Sequence, residues 1–314
     1  MIKVWQLSKS FGKNSAVDSI GFNVEPGEIV AFAGPNGAGK STTLRMLSTY
    51  LVPDSGSISI DGFDAVENPL AVRNRIGYMP ESNILYEGMR VDRFLKFIAK
   101  AHWLSPGQIS ENLDWVVDKC RLEDVLYKKI YQCSKGYHRR IALAMALIHK
   151  PGVLLLDEPT HGLDPLQVLA LRDFIKSLKP NRAILFSTHI IQEVTAVCDR
   201  MLVINAGKII AAGTNLELAL KAGFAPWAEC CLDQFTPAAK NALVELKCGN
   251  LIESATKPDG SIEAVIGITQ PGLEEELEAL VNSGLFSMKS FKTAGIDTES
   301  VLAELLRKSP GDEE

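Results

Sequence analysis

The sequence predicts an α/β protein with a mixed-sheet core, followed by a smaller α+β domain. Three observations lead there. Apolar runs with the length and character of buried parallel strands alternate with helical stretches through most of the chain. A glycine-rich octapeptide, Gly34-Pro35-Asn36-Gly37-Ala38-Gly39-Lys40-Ser41, lies between one such run and a helix-forming stretch. Near residues 214–226 the pattern changes, and the remainder reads β-α-β-β-α-β with a final helix, a ferredoxin-like order.

The elements follow in chain order. Residues 2–7 and 20–24 alternate apolar and polar, as half-buried strands do. Pro26-Gly27 turns the chain into a buried strand at 29–33, and a helix opens at about Gly39. Strands are expected at 57–60 and 76–79. A helix-rich block over about 86–150 holds helical patterns at 91–101 and 113–125 and closes with a helix at 137–148. Buried strands follow at 153–156, 183–187 and 201–204, with a helix at 165–178 after the first of them. In the second domain, strands at 229–234, 250–256, 262–268 and 286–292 alternate with helices at 237–247, 273–282 and 298–308. Asp259-Gly260 marks a turn. Leu273, Leu277, Leu280 and Val281 form one apolar stripe on an otherwise acidic helix. The expected domain bounds are 1–218 and 224–308, with 309–314 a disordered tail.

Composition narrows the function. The chain has 314 residues, enough for a large and a small domain, and 46% of them are hydrophobic. A net charge of −5 supplies no overall field for nucleic acid or anionic lipid. The longest clear apolar run, 141–148, has eight residues, far short of a membrane span, and 1–12 lacks a secretory h-region. Work at a membrane would therefore pass through a partner. The six cysteines (Cys120, Cys133, Cys198, Cys230, Cys231, Cys248) show no C-x-x-C spacing, which suits a reducing compartment. Vicinal Cys230 and Cys231 read as one buried and one exposed strand residue.

The chemistry begins at the octapeptide. Strand, glycine-rich loop and helix in that order form a phosphate cradle, and G-x-x-x-x-G-K-[ST] is the Walker A spacing. The glycines allow consecutive backbone N–H groups to point inward, and the helix adds its positive dipole end. Lys40 would reach the β- and γ-phosphates and Ser41 would place its hydroxyl on Mg²⁺. The run Val153-Leu154-Leu155-Leu156-Asp157-Glu158 is a buried strand ending in two carboxylates, the Walker B arrangement. There Asp157 would hold Mg²⁺ and Glu158 would polarise the attacking water.

Gly162-Leu163-Asp164-Pro165 and Ser187-Thr188-His189 lie downstream, and Cys133-Ser134-Lys135-Gly136-Tyr137 opens a helix about twenty residues upstream of Walker B. With every motif in order over about residues 2–215, the chain closely resembles an ATP-binding cassette (ABC) transporter subunit, a P-loop NTPase with a mixed-sheet core and a helical subdomain. The resemblance makes Asp164 part of the D-loop, His189 the switch histidine and residues 133–137 the signature. It implies that Ser134 and Gly136 grip the γ-phosphate held by a second cassette, so that two ATP molecules join two copies head to tail. A homodimer is the expected pair. Phe11 matches the aromatic that stacks on adenine, a contact worth roughly 1–3 kcal/mol. The implied nucleotide-binding set is Phe11, Asn36, Gly37, Ala38, Gly39, Lys40, Ser41, Thr42, Ser134, Gly136 and Asp164. Glu158, His189 and Lys40 are the catalytic groups, with His189 as a neutral imidazole orienting water. His161 reads as a loop residue.

Three positions depart from the family pattern. Glu81 stands where glutamine is usual; a carboxylate can ligate Mg²⁺ but, when ionised, cannot donate a hydrogen bond. Mg²⁺ is thus expected on Ser41, Asp157 and Glu81. Lys135 and Tyr137 replace glycine and glutamine in the signature. These features resemble bacterial type-2 exporter subunits, including those called gliding-associated, many of which carry a C-terminal extension. Residues 83–97 resemble the surface that receives a membrane subunit's coupling helix, so the expected partners are a second cassette and an integral membrane permease docking through 81–97. The expected location is the cytoplasmic face of the inner membrane, peripheral through the permease. The rival reading is a soluble ABC-type switch acting on nucleic acid or ribosomes. A single cassette, the absence of sustained heptads and the acidic balance all count against it.

Overall fold

The computed structural model describes residues 1–82, 85–190, 197–233 and 237–309. The chain divides into two compact units, Met1–Ile210 and Ala211–Glu314.

The first unit is built on two sheets. Strands β1 (Ile2–Phe11) and β2 (Asn14–Val24) form a hairpin turning at Gly12 and Lys13, so the two half-buried strands run further than their alternation alone suggests. They join β4 (Ser55–Ile60) and β5 (Phe63–Asp64) in the order β2-β1-β4-β5. The second sheet holds β3 (Glu28–Ala33), β6 (Ile76–Met79), β7 (Val153–Asp157), β8 (Ala183–Thr188), β9 (Arg200–Asn205) and β10 (Lys208–Gly213), in the order β10-β9-β3-β8-β7-β6. The pairs from β9 through β3, β8 and β7 to β6 are parallel. All five residues of β7 are buried, as expected of a strand covered on both faces. The core, around Val30, Phe32, Leu44, Ile58, Leu155 and Leu185, lies between this sheet and the antiparallel one.

Helix α1 (Lys40–Leu47) follows β3, and a short α2 (Pro69–Arg73) precedes β6. The helical block comprises α3 (Val91–Ala101), α4 (Pro106–Cys120) and α5 (Lys135–Leu147). Helix α4 begins seven residues before the expected 113. Ser105 accepts from Gln108 N, the Gln108 side chain accepts from Ser105 N, and Pro106 occupies the first turn, so the start is set by a capping box and not by the apolar period. Helix α6 (Pro165–Leu178) follows the second carboxylate of Walker B.

The joint between α5 and the sheet fixes where β6 delivers Glu81. Gly77 on β6 lies so close to α5 that a Cβ there would sit 2.1 Å from Ala146 O. His149 Nε2 donates to Ile76 O at 2.8 Å, and its ring stacks on His102 with centroids 3.7 Å apart. A carbonyl only accepts, so Nε2 carries the proton, and Nδ1 is buried with no partner among the described residues.

In the second unit, β11 (Trp227–Asp233), β12 (Gly249–Thr256), β13 (Ile262–Ile268) and β14 (Ser287–Ala294) form an antiparallel sheet in the order β12-β13-β11-β14. Helix α7 (Asn215–Ala222) opens with a Thr214–Glu217 capping box and packs on the final helix, α10 (Thr298–Arg307): Thr298 Oγ1 donates to Asn215 Oδ1 at 3.0 Å and Lys308 Nζ to Ala222 O at 2.7 Å. That pairing draws the division between units upstream of the composition shift. Helices α8 (Pro237–Val244) and α9 (Leu273–Asn282) pack on the sheet through Leu243, Leu273 and Leu277, with Leu280 and Val281 partly buried beside them. Cys230 is buried and its thiol is pushed up to about 11 by burial, while Cys231 is half-buried; both are free. Residues 310–314, the expected tail, lie outside the described residues.

Burial first, and His102 second, push the His149 imidazole down to about 4. Its unfolded value is near 6.5, so between pH 6.5 and 4 the unfolded chain binds more protons and stability falls as pH falls, by up to about 3 kcal/mol. His149→Gln keeps an N–H donor and removes the titration. Its urea midpoint is expected to decline less than the native one between pH 6.5 and 4.5; equal declines would contradict this origin.

Candidate active site

The loop after β3 reaches α1 through Gly39, whose φ is 107°. A Cβ at Gly39 would sit 2.4 Å from Ala16 O on β2, so only glycine both turns this corner and fits beneath the hairpin. No side chain caps α1, which leaves its first-turn N–H groups for an anion. Lys40 Nζ folds back over the loop and donates to Gly34 O at 2.7 Å and Pro35 O at 2.9 Å. Burial pulls the Lys40 ammonium below its usual value, and the carboxylates of Glu158, Asp157 and Glu81 oppose that shift.

Asp157 ends β7 and is 1% exposed. Its Oδ1 accepts from Ser41 Oγ at 3.0 Å and from Ser187 Oγ at 2.6 Å, tying α1, β7 and β8 together. Its Oδ2 is buried with no partner among the described residues. An unpartnered carboxylate oxygen in that position is costly, and a cation beside it removes the cost. Ser41 hydroxyl and Asp157 carboxylate form a hard oxygen set that fits Mg²⁺, which keeps several waters and phosphate oxygens of its own. Among the described residues no cluster of three or more His, Cys, Asp or Glu forms a complete protein cage.

Glu158 is 5% exposed and left-handed at φ 48°, with its N–H donating to Ser187 Oγ at 3.0 Å. A bulky residue held there carries backbone strain, which concentrates at functional sites. His189 Nδ1 donates to Glu158 Oε2 at 2.8 Å. In that arrangement a neutral His189 has no second N–H to offer, so it must turn from Glu158, or carry both protons, to donate to a phosphate.

These groups share one cleft of about 390 Å³: Asn36, Gly37, Gly39, Lys40, Ser41 and Thr42 from the loop and α1, Glu81 after β6, and Glu158, His161 and His189. The structure therefore adds His161, whose Nδ1 is 3.7 Å from Glu81 Oε1 and whose ring meets His189 edge-on. Sequence reasoning set His161 aside, and its only signal was its place three residues after Glu158. It also missed Ser187, which donates to the Asp157 carboxylate and accepts from Glu158 N, and Arg139, whose Nη1 donates to Glu81 O at 2.8 Å.

Other residues of the expected set make different contacts. Ser134 caps α5, accepting from Tyr137 N, and Gly136 is packed on Gln167 of α6. Asp164 caps α6, accepting from Gln167 N at 3.0 Å. Ala38 is buried, and its carbonyl accepts from Gly207 N. None of these lines the cleft. Phe11 is 51% exposed at the end of β1, on the hairpin whose second strand reaches the loop at Ala16, so it is not a core residue.

A strand–loop–helix phosphate cradle beside a strand ending in two acidic residues defines a P-loop nucleotide triphosphatase. The family model described as ABC transporter matches residues 17–161. The ABC transporter ATP-binding protein NatA of Bacillus subtilis is 38% identical over 200 residues, covering 63% of this chain and 81% of NatA. The daunorubicin resistance ATP-binding protein DrrA3 of Streptomyces coeruleorubidus is 37% identical over 223 residues, 71% of each chain. YdbJ of B. subtilis, an uncharacterized ABC transporter ATP-binding protein, is 31% identical over 311 residues, 98% of this chain and 96% of YdbJ. A solved ATP-binding subunit of an ABC transporter superposes with a TM-score of 0.66 at 32% identity, covering 71% of this chain and 93% of that one. The chain belongs to the ABC transporter family, as an ATP-binding and ATP-hydrolysing subunit.

Asp157→Asn preserves shape and both serine bonds to Oδ1 but removes the charge a cation needs. With Mg²⁺ present it is expected to cut turnover about a hundredfold or more, matching the effect of EDTA on the native protein. A variant with native rate and native Mg²⁺ half-saturation would remove Asp157 from the metal site.

Proposed function

We propose that this chain is one half of an ATP-clamped homodimer that drives a separate membrane permease in the export direction. The observation that carries the reading is the division of its γ-phosphate groups. Lys40, Ser41, Glu158 and His189 share one cleft, whereas Ser134 and Gly136 at the start of α5 are not in it. One chain thus holds both parts of a composite site without joining them, which suits two copies meeting head to tail.

Within each site, the α1 amides and Lys40 bind the β- and γ-phosphates, and the partner's signature would close the other side. Mg²⁺ is assigned to Ser41, Asp157 and Glu81, where it would neutralise charge on the phosphates. Glu158, buried and held at its backbone N–H by Ser187, accepts a hydrogen bond from the attacking water. His189 holds Glu158 until nucleotide binds and then turns to the γ-phosphate. Phe11 would stack on the adenine. Dimer affinity differing between ATP and ADP states delivers the work.

The permease surface is assigned to 81–97. Asn83 and Ile84 lie outside the described residues; of the rest, Tyr86 and Phe97 are 51% and 46% exposed and meet in a tilted ring contact, while Phe94 is buried. Exposed aromatics of this kind suit a protein interface. Among the described residues no helix is long and apolar enough to cross a membrane; peripheral attachment at the cytoplasmic face is supported by relatives that are ATP-binding subunits of transporters, such as NatA. The export direction is supported by drug-resistance relatives such as DrrA3. Functionally, 1–218 is the cassette and 224–308 an accessory domain.

Glu158→Gln is expected to bind ATP without turning it over and to run as a dimer in size-exclusion chromatography with ATP; a monomer under those conditions would contradict the paired site. Glu81→Gln tests the carboxylate at the metal. A shifted Mg²⁺ dependence of the ATPase rate is expected, and an unchanged one would take Glu81 out of the coordination.

A further inference from the structure

We propose that the cavity between α4, α5 and α6 is a second ligand site, separate from the nucleotide cleft, for an amphipathic carboxylate: a small apolar body carrying one negative charge.

The cavity measures about 360 Å³, within the size range of small-molecule sites, and its lining shares no residue with the cleft. Helix α5 contributes Gly136, Arg140 and Leu143, at i, i+4 and i+7. Helix α6 contributes Gln167, Ala170, Leu171, Phe174 and Ser177, one helical stripe at i, i+3, i+4, i+7 and i+10. The centre of that stripe is apolar and the protein leaves it partly open. Ala170 is exposed and Leu171 and Phe174 are half-buried, whereas the buried residues of α6 are Ile175 and Leu178. Met79 of β6 and Leu143, both buried, extend the apolar lining.

Charge on the lining is one-sided. Lys119, Arg121, Arg139 and Arg140 are there, with Asp173 as the one carboxylate. Lys119 pairs outside the cavity with Asp118 at 3.2 Å, and Arg139 Nη1 donates to Glu81 O. Among the described residues the Arg121 and Arg140 side chains have no ion pair or hydrogen bond; Arg140 lies over the Tyr137 ring, 5.5 Å from its centroid. Arg121 also ends α4 in the left-handed region at φ 52°, a place usually held by glycine. No polar contact of its side chain offsets that strain. Burial pushes the Cys120 thiol, also on the lining, up to about 12, and Arg140 opposes that shift, so its charge reaches the cavity wall.

These features select a ligand class. A guanidinium is a planar fork of N–H donors that matches a carboxylate, and two of them stand here without an acidic partner. The uncovered stripe on α6 calls for an apolar body beside that charge. A polyphosphate would leave Leu171 and Phe174 against charge and would bring several negative groups near Asp173. A single carboxylate on an apolar chain or ring satisfies both halves of the lining.

The test titrates anilinonaphthalenesulfonate, a fluorescent amphipathic anion, into the nucleotide-free full chain and again with saturating ADP. One saturable site per chain is expected, unchanged within about twofold by ADP. Decanoate or naphthoate should displace the probe, and decanol, which lacks the charge, should not. Displacement by decanoate alone assigns a chain, by naphthoate alone a ring. Arg121→Gln combined with Arg140→Gln is expected to weaken binding about tenfold, and Asp173→Asn to tighten it about threefold. Ala170→Trp fills the stripe from an exposed position and should weaken binding about tenfold as well. ADP affinity reports that each variant is folded. The inference is overturned by no saturable binding, by displacement with ADP, by displacement with neither acid, or by decanol acting as well as decanoate. Native affinity in the arginine variant or in Ala170→Trp overturns it too. Where either of those fails to bind ADP, Asp173→Asn decides, and unchanged or weaker binding there overturns the inference.

Discussion

One carboxylate holds the site together. Asp157 closes a fully buried strand, and a single oxygen of it receives hydroxyls from Ser41 on the phosphate-loop helix and Ser187 on the neighbouring strand. That oxygen fixes three elements at the point where the sheet meets the cleft. The other oxygen is buried and unpartnered among the described residues. A buried charge left half-satisfied is tolerated when something else completes it, and a divalent cation carrying phosphate oxygens would fit here, as the proposed function has it.

The same economy appears around Glu158. Its left-handed backbone and its bond from His189 hold the carboxylate ready but engaged. His189 cannot donate to Glu158 through Nδ1 and to a phosphate as well while neutral, so the engaged pair describes a resting arrangement. The groups that would complete the γ-phosphate site sit on α5, where Ser134 serves its own helix as a cap until another surface meets it. On the proposed head-to-tail reading the chain carries two half-sites, Lys40 and Glu158 in the cleft and Ser134 outside it.

Much of this was legible in the sequence, and the reasons are local. The Walker A loop, the β7 run and the strand before His189 are continuous stretches whose spacing and apolarity encode their geometry directly. The six-stranded sheet's buried strands were readable because parallel strands covered on both faces need unbroken apolar runs. What escaped was short, nonlocal or between the last expected strand of the first domain and the first of the second, where β10 and α7 were not expected. β5 has two residues and α2 five, too few for any period, and α4 was started late because a capping box set its start. His161 and Arg139 carry no pattern of their own. Each acquires its place only when the Glu81 loop, α5 and the turn before α6 come together across the fold. Phe11 was given its place by resemblance, and the structure adds only that it is exposed on the hairpin leading to the loop.

A structure of the protein with Mg²⁺ and a non-hydrolysable ATP analogue tests the central claim most directly. The account expects the cation against Asp157 and Ser41, and a γ-phosphate held by Lys40 of one copy and Ser134 of the next. A fully bound nucleotide whose γ-phosphate meets no residue of a second copy, or a cation that avoids Asp157, would contradict it.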